Sequence, residues 1–315
     1  MLVTFFGMAR QAHGCSVPVF RYALERWRPA LYTAWVLHPG PLPSPYIEAI
    51  SALDSFCQTN SINLAVHSID STQPLPGELE PQRAICAGVK AGNPLLIVQF
   101  PKRLNLSAPL YSGPITGGVL HSLIFSESRR QLAERLGRGD SAIFVVLEND
   151  DATDSQALVA RAEAQAKYLQ SVLKLHALDK DDPSSKLHSD LPLKITFSVL
   201  RVNRNDPAEK MFAAMIMKGQ ELKENIAGEP IVALVFGQGH LFDARASSEL
   251  KPDTFDEWGR FACGPCMCQI KESNPGMDLL TAIDWESILD RQTPAAPAQV
   301  LPDFRRLLKE AGEGK

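Results

Sequence analysis

No apolar run in the sequence approaches the ~20 residues of a membrane-spanning helix, so no helical span is expected. Basic charge is not in excess either: 32 Lys and Arg stand against 36 Asp and Glu, for a formal charge of −4. A chain without a basic balance lacks the phosphate-neutralising face that nucleic acid demands, which argues against it as a main partner. A nucleophile elbow, a phosphate-binding loop and a zinc-protease helix are all missing, and the seven histidines include no His-x-x-x-His pair. The start, Met1 to Ala9, is apolar but short and has no positively charged n-region. What is present is ordinary for a soluble globular protein: 315 residues, 45% hydrophobic and 22% charged. That length suggests two domains and a sizeable core, and the composition excludes a disordered, collagen-like or small disulfide-stapled protein.

The second half shows strands separated by helices. Ser141 to Leu147 is a continuous apolar run of buried-strand length, and a helix is expected from Ser155 to His176, capped by Asp154 or Ser155. After a polar loop over Asp179 to Asp190, Leu193 to Val202 reads as strand. Asp206-Pro207-Ala208-Glu209 has the cap, first-turn proline and third-position glutamate of a helix start. Met211, Phe212, Met215 and Ile216 form its buried stripe and Gly219 stops it. Gly228 to Phe236 and His240 to Arg245, joined by Gly237-Gln238-Gly239, predict a hairpin, and a helix over Pro252 to Ala262 closes the unit.

The first half repeats this order: strand at Tyr32–Leu37, helix at Pro45–Cys57, strand at Ile62–Ile69, short helix at Pro81–Lys90 and strand at Asn93–Phe100. A hairpin partner falls within Ser107–Thr116, and Ser126 or Glu127 opens a helix that ends at Gly137. The order of elements, with Pro94 and Pro230 directly before apolar strands, resembles the thioredoxin-like fold. That resemblance implies an α/β chain of two tandem thioredoxin-like lobes with mixed central sheets and a C-terminal Cys-containing extension. It divides the chain into an N-terminal segment at 1–29, lobes at 30–140 and 141–262, and a cysteine cluster and tail at 263–315. It also implies a cis bond before Pro230. Redox-active members of that fold carry Cys-x-x-Cys between the first strand and first helix. Here those loops, His38–Pro45 and Glu148–Asp154, hold no cysteine. The acidic residues Glu148, Asp150, Asp151 and Asp154 offer a hard-cation site or a capped, solvated turn.

Six cysteines occur, and Cys263-Gly-Pro-Cys266-Met-Cys268 gathers three of them. The cluster follows a helix and precedes a turn, the reverse of the thioredoxin setting. Three thiols so close can form a disulfide, exchange disulfides, or bind a soft ion such as zinc or copper, with Cys15 or His240 as a further ligand. Three functions therefore stand: a binding or structural protein whose Cys263, Cys266 and Cys268 form a disulfide or soft-metal site, a thiol–disulfide oxidoreductase, and a metallochaperone. Pro265 should break the helix at Gly264, leaving Cys266 as the most nucleophilic thiol and Cys263 with a more ordinary pKa. If the protein is exported, Cys15 should lie within reach of the cluster. Cys57 and Cys86 read as small buried hydrophobes, and His67 and His176 as structural. Residues 291–300 read as a linker, and Phe304–Lys309 as an amphipathic tail docked on the body. The opening Cys15–Trp27 and the closing run from Cys266 to Trp285 resemble a family of apparently exported bacterial proteins. This tilts location towards export, brings no activity, and leaves a protein partner open.

Overall fold

The computed structural model describes residues 15–222, 228–266, 270–289 and 301–309. Helix α1 (Val19–Arg26) leads into β1 (Tyr32–His38), α2 (Ser44–Thr59), β2 (Leu64–Asp70), α3 (Arg83–Ala87), β3 (Leu95–Gln99) and β4 (Tyr111–Pro114). Parallel pairing sets Tyr32 against Leu64 through His38 against Asp70, while β3 runs antiparallel to both β1 and β4. The sheet order is β2-β1-β3-β4. Helices α4 (Gly117–Ile124) and α5 (Glu127–Gly137) then connect to the second half.

There the order repeats: β5 (Ala142–Glu148), α6 (Ala152–Val172), β6 (Phe197–Asn203), α7 (Lys210–Gly219), β7 (Ile231–Phe236), β8 (His240–Ala246) and α8 (Thr254–Cys263). The strands assemble as β6-β5-β7-β8, again with one parallel pair and an antiparallel remainder. The closing residues add β9 (Met277–Asp278) to the free side of β8, followed by α9 (Trp285–Leu289) and α10 (Phe304–Leu308). The chain is thus a mixed α/β protein with two mixed sheets.

Burial follows the alternation of each strand. One face of β1 and β3 (Ala34, Val36, Leu96, Val98) and one face of β5 and β7 (Ile143, Val145, Ile231, Ala233, Val235) share a single core with α2, α4, α5 and α7. The opposite face of the second sheet packs Phe144, Val146, Leu234 and Phe236 against α1, α6 and α8. A smaller core under Trp35, Leu37 and Ile97 includes Cys86, and Cys57 joins the main core, so both behave as the buried hydrophobes expected. The tail docks as anticipated, with Phe304 and Leu308 buried against α2 and α4. No helix of the described residues is long and apolar enough to cross a membrane.

Several local expectations are corrected. All peptide bonds of the described residues are trans, including that before Pro230. Pro230 precedes the first residue of β7, where its lack of an N–H costs the ladder nothing, and its carbonyl accepts the Ser247 N–H. Helix α6 begins at Ala152 because Asp151 accepts the Thr153 and Asp154 amides, ahead of the expected caps. It ends at Val172, so His176 lies beyond it. Helix α7 starts at Lys210 rather than at Pro207, because the Glu209 carboxylate turns to the Ser126 hydroxyl and the Ser128 amide at the start of α5. The strand expected over Leu193–Val202 is confined to β6, and the short helix over Pro81–Lys90 to a 3-10 turn at Gly77–Gln82 followed by α3. Helix α4 was not foreseen. Its Gly117-Gly118 start has poor helix propensity, and what holds it is the Thr116 cap on the Val119 amide with Leu120, Leu123 and Ile124 in the core.

Candidate functional site

The cysteine cluster is a seam between the two ends of the chain. Helix α8 stops at Cys263 and Gly264 turns extended, as Pro265 requires. Pro265 then bridges Pro18 in antiparallel sense, with the Cys266 N–H donating to Val17 O at 2.8 Å and the Val19 N–H to Gly264 O at 2.9 Å. Cys15, Cys263 and Cys266 consequently share one apolar core with Trp27, Phe236 and Trp258. Their exposures are 1%, 4% and 1%, which withholds the thiols from any partner disulfide. The Cys15 thiol donates to Ser184 O at 3.2 Å, and Ser16 is held by the Ser185 hydroxyl at 2.9 Å. Tyr22 lies within electrostatic reach of both ends: burial first, then the Cys266 and Cys15 thiols, raise its hydroxyl against the pull of Arg26.

Burial pushes the Cys263 thiol up to about 12, which overturns the ordinary value expected at a helix end. Desolvation of a thiolate inside an apolar core outweighs any surface-like behaviour. Cys266 belongs to a bridge rather than to the first turn of a helix; Cys268 lies outside the described residues. Among the described residues no disulfide is formed, and no three His, Cys, Asp or Glu side chains gather as a metal-binding group. His240 is occupied elsewhere, with Nδ1 2.9 Å from Asp278 Oδ1 and Nε2 2.9 Å from Pro275 O.

The two strand-to-helix loops hold polar turns. In the first, His38 bridges Gly40 O and the Ser68 hydroxyl, while Asp70 accepts the Gly40 and Thr72 amides. In the second, three of the four acidic residues are engaged internally. Glu148 accepts from Arg201 at 2.6 Å, Asp150 from Asn205 at 2.5 Å, and Asp151 caps α6. Their oxygens point at protein donors rather than converging on a shared point, so the cation reading of this loop is not supported by the geometry.

A cleft of about 950 Å³ was not read from the sequence. One side is the outer strand β2 (Leu64–His67) with Asp54, Cys57 and Gln58 of α2. The other is built from Arg26–Leu31, His188–Asp190 and the segment Ile283–Leu289. Each wall is pinned by buried polar groups. Asn63 donates to Ala30 O at 3.0 Å and to Leu279 O at 3.1 Å. Asp278 accepts the Ala30 amide at 2.8 Å and Lys271 Nζ at 2.7 Å, while the Lys271 ammonium also reaches the Arg28 carbonyl. Arg21 and Glu25, both fully buried, pair at 2.7 Å; Glu25 takes the His188 and Ser189 amides, and Arg21 donates to the Ser189 and Leu191 carbonyls. His67, exposed in the cleft, sets its ring against Trp35 with centroids 4.8 Å apart and a tilt of 32°.

The cleft is half-open, and charged side chains stand within a lining that is more apolar than polar. Arg21 offsets Glu25 from behind, which leaves Asp54, Asp190, Asp284 and Glu286 against Arg26 and Arg28. Arg28 pairs with Glu286 at the rim, and Arg26 spends its guanidinium on the Lys186 carbonyl and the Tyr22 ring. The lining is therefore acidic on balance. Of the lining residues, Glu25, Arg26 and Ile283–Trp285 fall within the two runs that carry the resemblance to exported proteins, while Cys57 reads in the sequence as a buried hydrophobe, His67 as structural and His188–Asp190 as loop. Comparison with protein-family models, with curated proteins and with solved structures found no match.

Proposed function

We propose that this chain is a binding protein on a scaffold of two thioredoxin-like lobes, taking its ligand in the cleft, and that its cysteines serve the fold rather than turnover. The thioredoxin-like reading is supported by the repeated sheet order, β2-β1-β3-β4 and β6-β5-β7-β8, each with one parallel pair. The loops that carry Cys-x-x-Cys in redox-active members of that fold hold no cysteine here. The observation that carries the binding reading is the cleft itself, whose two sides are joined by the Asn63 side chain donating to the Ala30 and Leu279 carbonyls and whose volume suits a ligand.

The cysteine cluster acts in this reading as a clasp that ties Cys15–Val19 to Gly264–Cys266, by packing or by a disulfide. Three buried thiols, one of them pushed up to about 12, favour it over disulfide exchange. Zinc or copper carriage has no convergent donor set behind it among the described residues.

The test pairs a ligand screen with a turnover assay on the full chain. Melting temperature is followed with pools of peptides and small metabolites, for the native protein and for Gln58→Trp, an exposed helix position that fills the cleft. A ligand that raises Tm in the native protein and not in the variant is the expected result. Reduction of insulin disulfides by dithiothreitol should proceed no faster with the protein than without it. An acceleration abolished by Cys266→Ser would overturn the binding reading in favour of thiol exchange.

A further inference from the structure

Strand β2 is bonded on one side only, to β1. The phase of that parallel ladder is set at both ends, where Tyr32 N–H donates to Asn63 O at 2.9 Å and Ser71 N–H donates to His38 O at 2.8 Å. The bonds to β1 therefore fall on the odd positions of β2. Val66 and Ser68 turn both their N–H and C=O groups away from the sheet, and Leu64 turns its C=O, its own N–H being closed onto Ile62 O. Among the described residues, Val66 and Ser68 have no second backbone partner. Proteins commonly blunt such an edge with proline, a bulge or a central charge. Here Leu64-Ala-Val-His-Ser-Ile-Asp70 has no proline, a regular register, and a carboxylate only at its last residue.

Much of this edge, Leu64 to His67, faces the cleft. An unblunted edge inside a ligand-sized cleft is the arrangement that captures an extended peptide as an added strand. We propose that the occupant of the cleft is an extended segment of a partner protein, rich in lysine or arginine, paired through its main chain with Val66 and Ser68 of β2. The inference rests on the binding reading above and specifies its ligand. Basic character follows from charge complementarity with Asp54, Asp190, Asp284 and Glu286, against which only Arg26 and Arg28 stand. Alternating side chains of an added strand point to opposite faces, so basic residues on one face leave apolar ones on the other. Leu31, 54% exposed within the cleft, offers those an apolar contact.

Synthetic octapeptides test this directly: acetyl-Lys-Val-Thr-Val-Lys-Val-Lys-Val-amide, the same peptide N-methylated at alternate residues, and a glutamate-for-lysine counterpart. Calorimetry gives affinity, and hydrogen exchange of the 64–70 segment reports whether its amides become protected. The unmodified basic peptide should bind and slow exchange at Val66 and Ser68. Each methyl that removes a main-chain bond should weaken binding about fivefold. The glutamate peptide should bind at least tenfold more weakly, and added salt or Asp54→Asn with Asp190→Asn should narrow that gap. Equal affinity of the methylated peptide, with binding still lost in Gln58→Trp, overturns strand addition and leaves the binding reading intact. Preference for the glutamate peptide overturns the basic ligand. Failure of every peptide, with a small metabolite still stabilising the native protein and not Gln58→Trp, overturns this inference alone. Failure of every peptide and every metabolite overturns both.

Discussion

Asp278→Asn tests the contact that holds one wall of the cleft. Asp278 is 2% exposed, and its carboxylate joins three parts of the chain: His240 at 2.9 Å, Lys271 at 2.7 Å and the Ala30 amide at 2.8 Å. Burial alone would raise its pKa. The hydrogen bond and charge of His240, followed by the charge and hydrogen bond of Lys271, outweigh burial and hold it down to about 2. The sign of the linkage follows. A carboxyl depressed in the folded state contributes stability above its unfolded value, ~3.9, and loses it as pH falls through the folded one. A depression of that size is worth between about 2 and 3 kcal/mol at neutral pH, at 1.36 kcal/mol per unit.

The amide substitution removes this linkage and leaves the Lys271 ammonium buried without a carboxylate, an arrangement that costs about 3–5 kcal/mol. Urea unfolding of both proteins between pH 7 and pH 2 reads both numbers. The variant should be less stable by several kcal/mol at pH 7. The gap should shrink by about 2 kcal/mol between pH 5 and pH 2, as the native carboxyl protonates. A gap under about 1 kcal/mol at pH 7, or one that stays constant down to pH 2, would refute the charge network as the element that pins Ala30 to the second sheet.

Further outcomes follow from the same geometry. With their thiols pushed up to about 12 by burial, Cys57 and Cys263 should resist iodoacetamide at pH 8 and react fully only in denaturant, as peptide mass spectrometry would show; native labelling at an ordinary rate would contradict their burial. Glu25→Ala strands the Arg21 cation in the interior at a cost of about 3–5 kcal/mol and releases the His188 and Ser189 amides, so trypsin should cut faster at Lys180 and Lys186, with unchanged cleavage arguing against this anchor. Gly276 adopts φ +102°, and a Cβ there would fall 2.3 Å from the Leu241 carbonyl oxygen; Gly276→Ala should therefore lower stability by about 2 kcal/mol or more in chemical unfolding, and a neutral result would remove the strain argument.

Much of the fold was legible because local rules and tertiary packing agreed. The Gly237-Gln-Gly239 turn is written in residues that accept φ of +62° and +84°, and the runs on either side can do little but pair. The buried stripe Met211, Phe212, Met215 and Ile216 follows from helical spacing alone. Legibility failed where one side chain had two uses. Glu209 has the spacing of a capping box for its own helix, yet its carboxylate is spent at the start of α5, 81 residues away in sequence from Ser128. Asp151 preceded the expected caps of α6 for a similar reason: its position suits the first free amides, and nothing in the composition of the acidic loop distinguishes it from Asp154.

The candidate site was harder, and in opposite ways for its two parts. Cys263-Gly-Pro-Cys266 is conspicuous as letters, but the chemistry of those letters depends on a helix N-terminus that exposes a thiol and stabilises its thiolate. In this chain Cys263 ends a helix and Cys266 enters a bridge to Val17, so the same residues become an apolar seam. That reversal is set by contacts across about 250 positions, which no local motif encodes. The cleft has the contrary difficulty. Its walls come from separated stretches of ordinary composition, and the outward main chain of Val66 at its edge, continued by Ser68 beyond the cleft, is a property of ladder phase that side-chain identity does not reveal. A conspicuous motif folded inward and an inconspicuous strand left at an edge have one cause: chemistry is available only where packing leaves atoms accessible. Here packing closes over the thiols and stops short of the second side of β2.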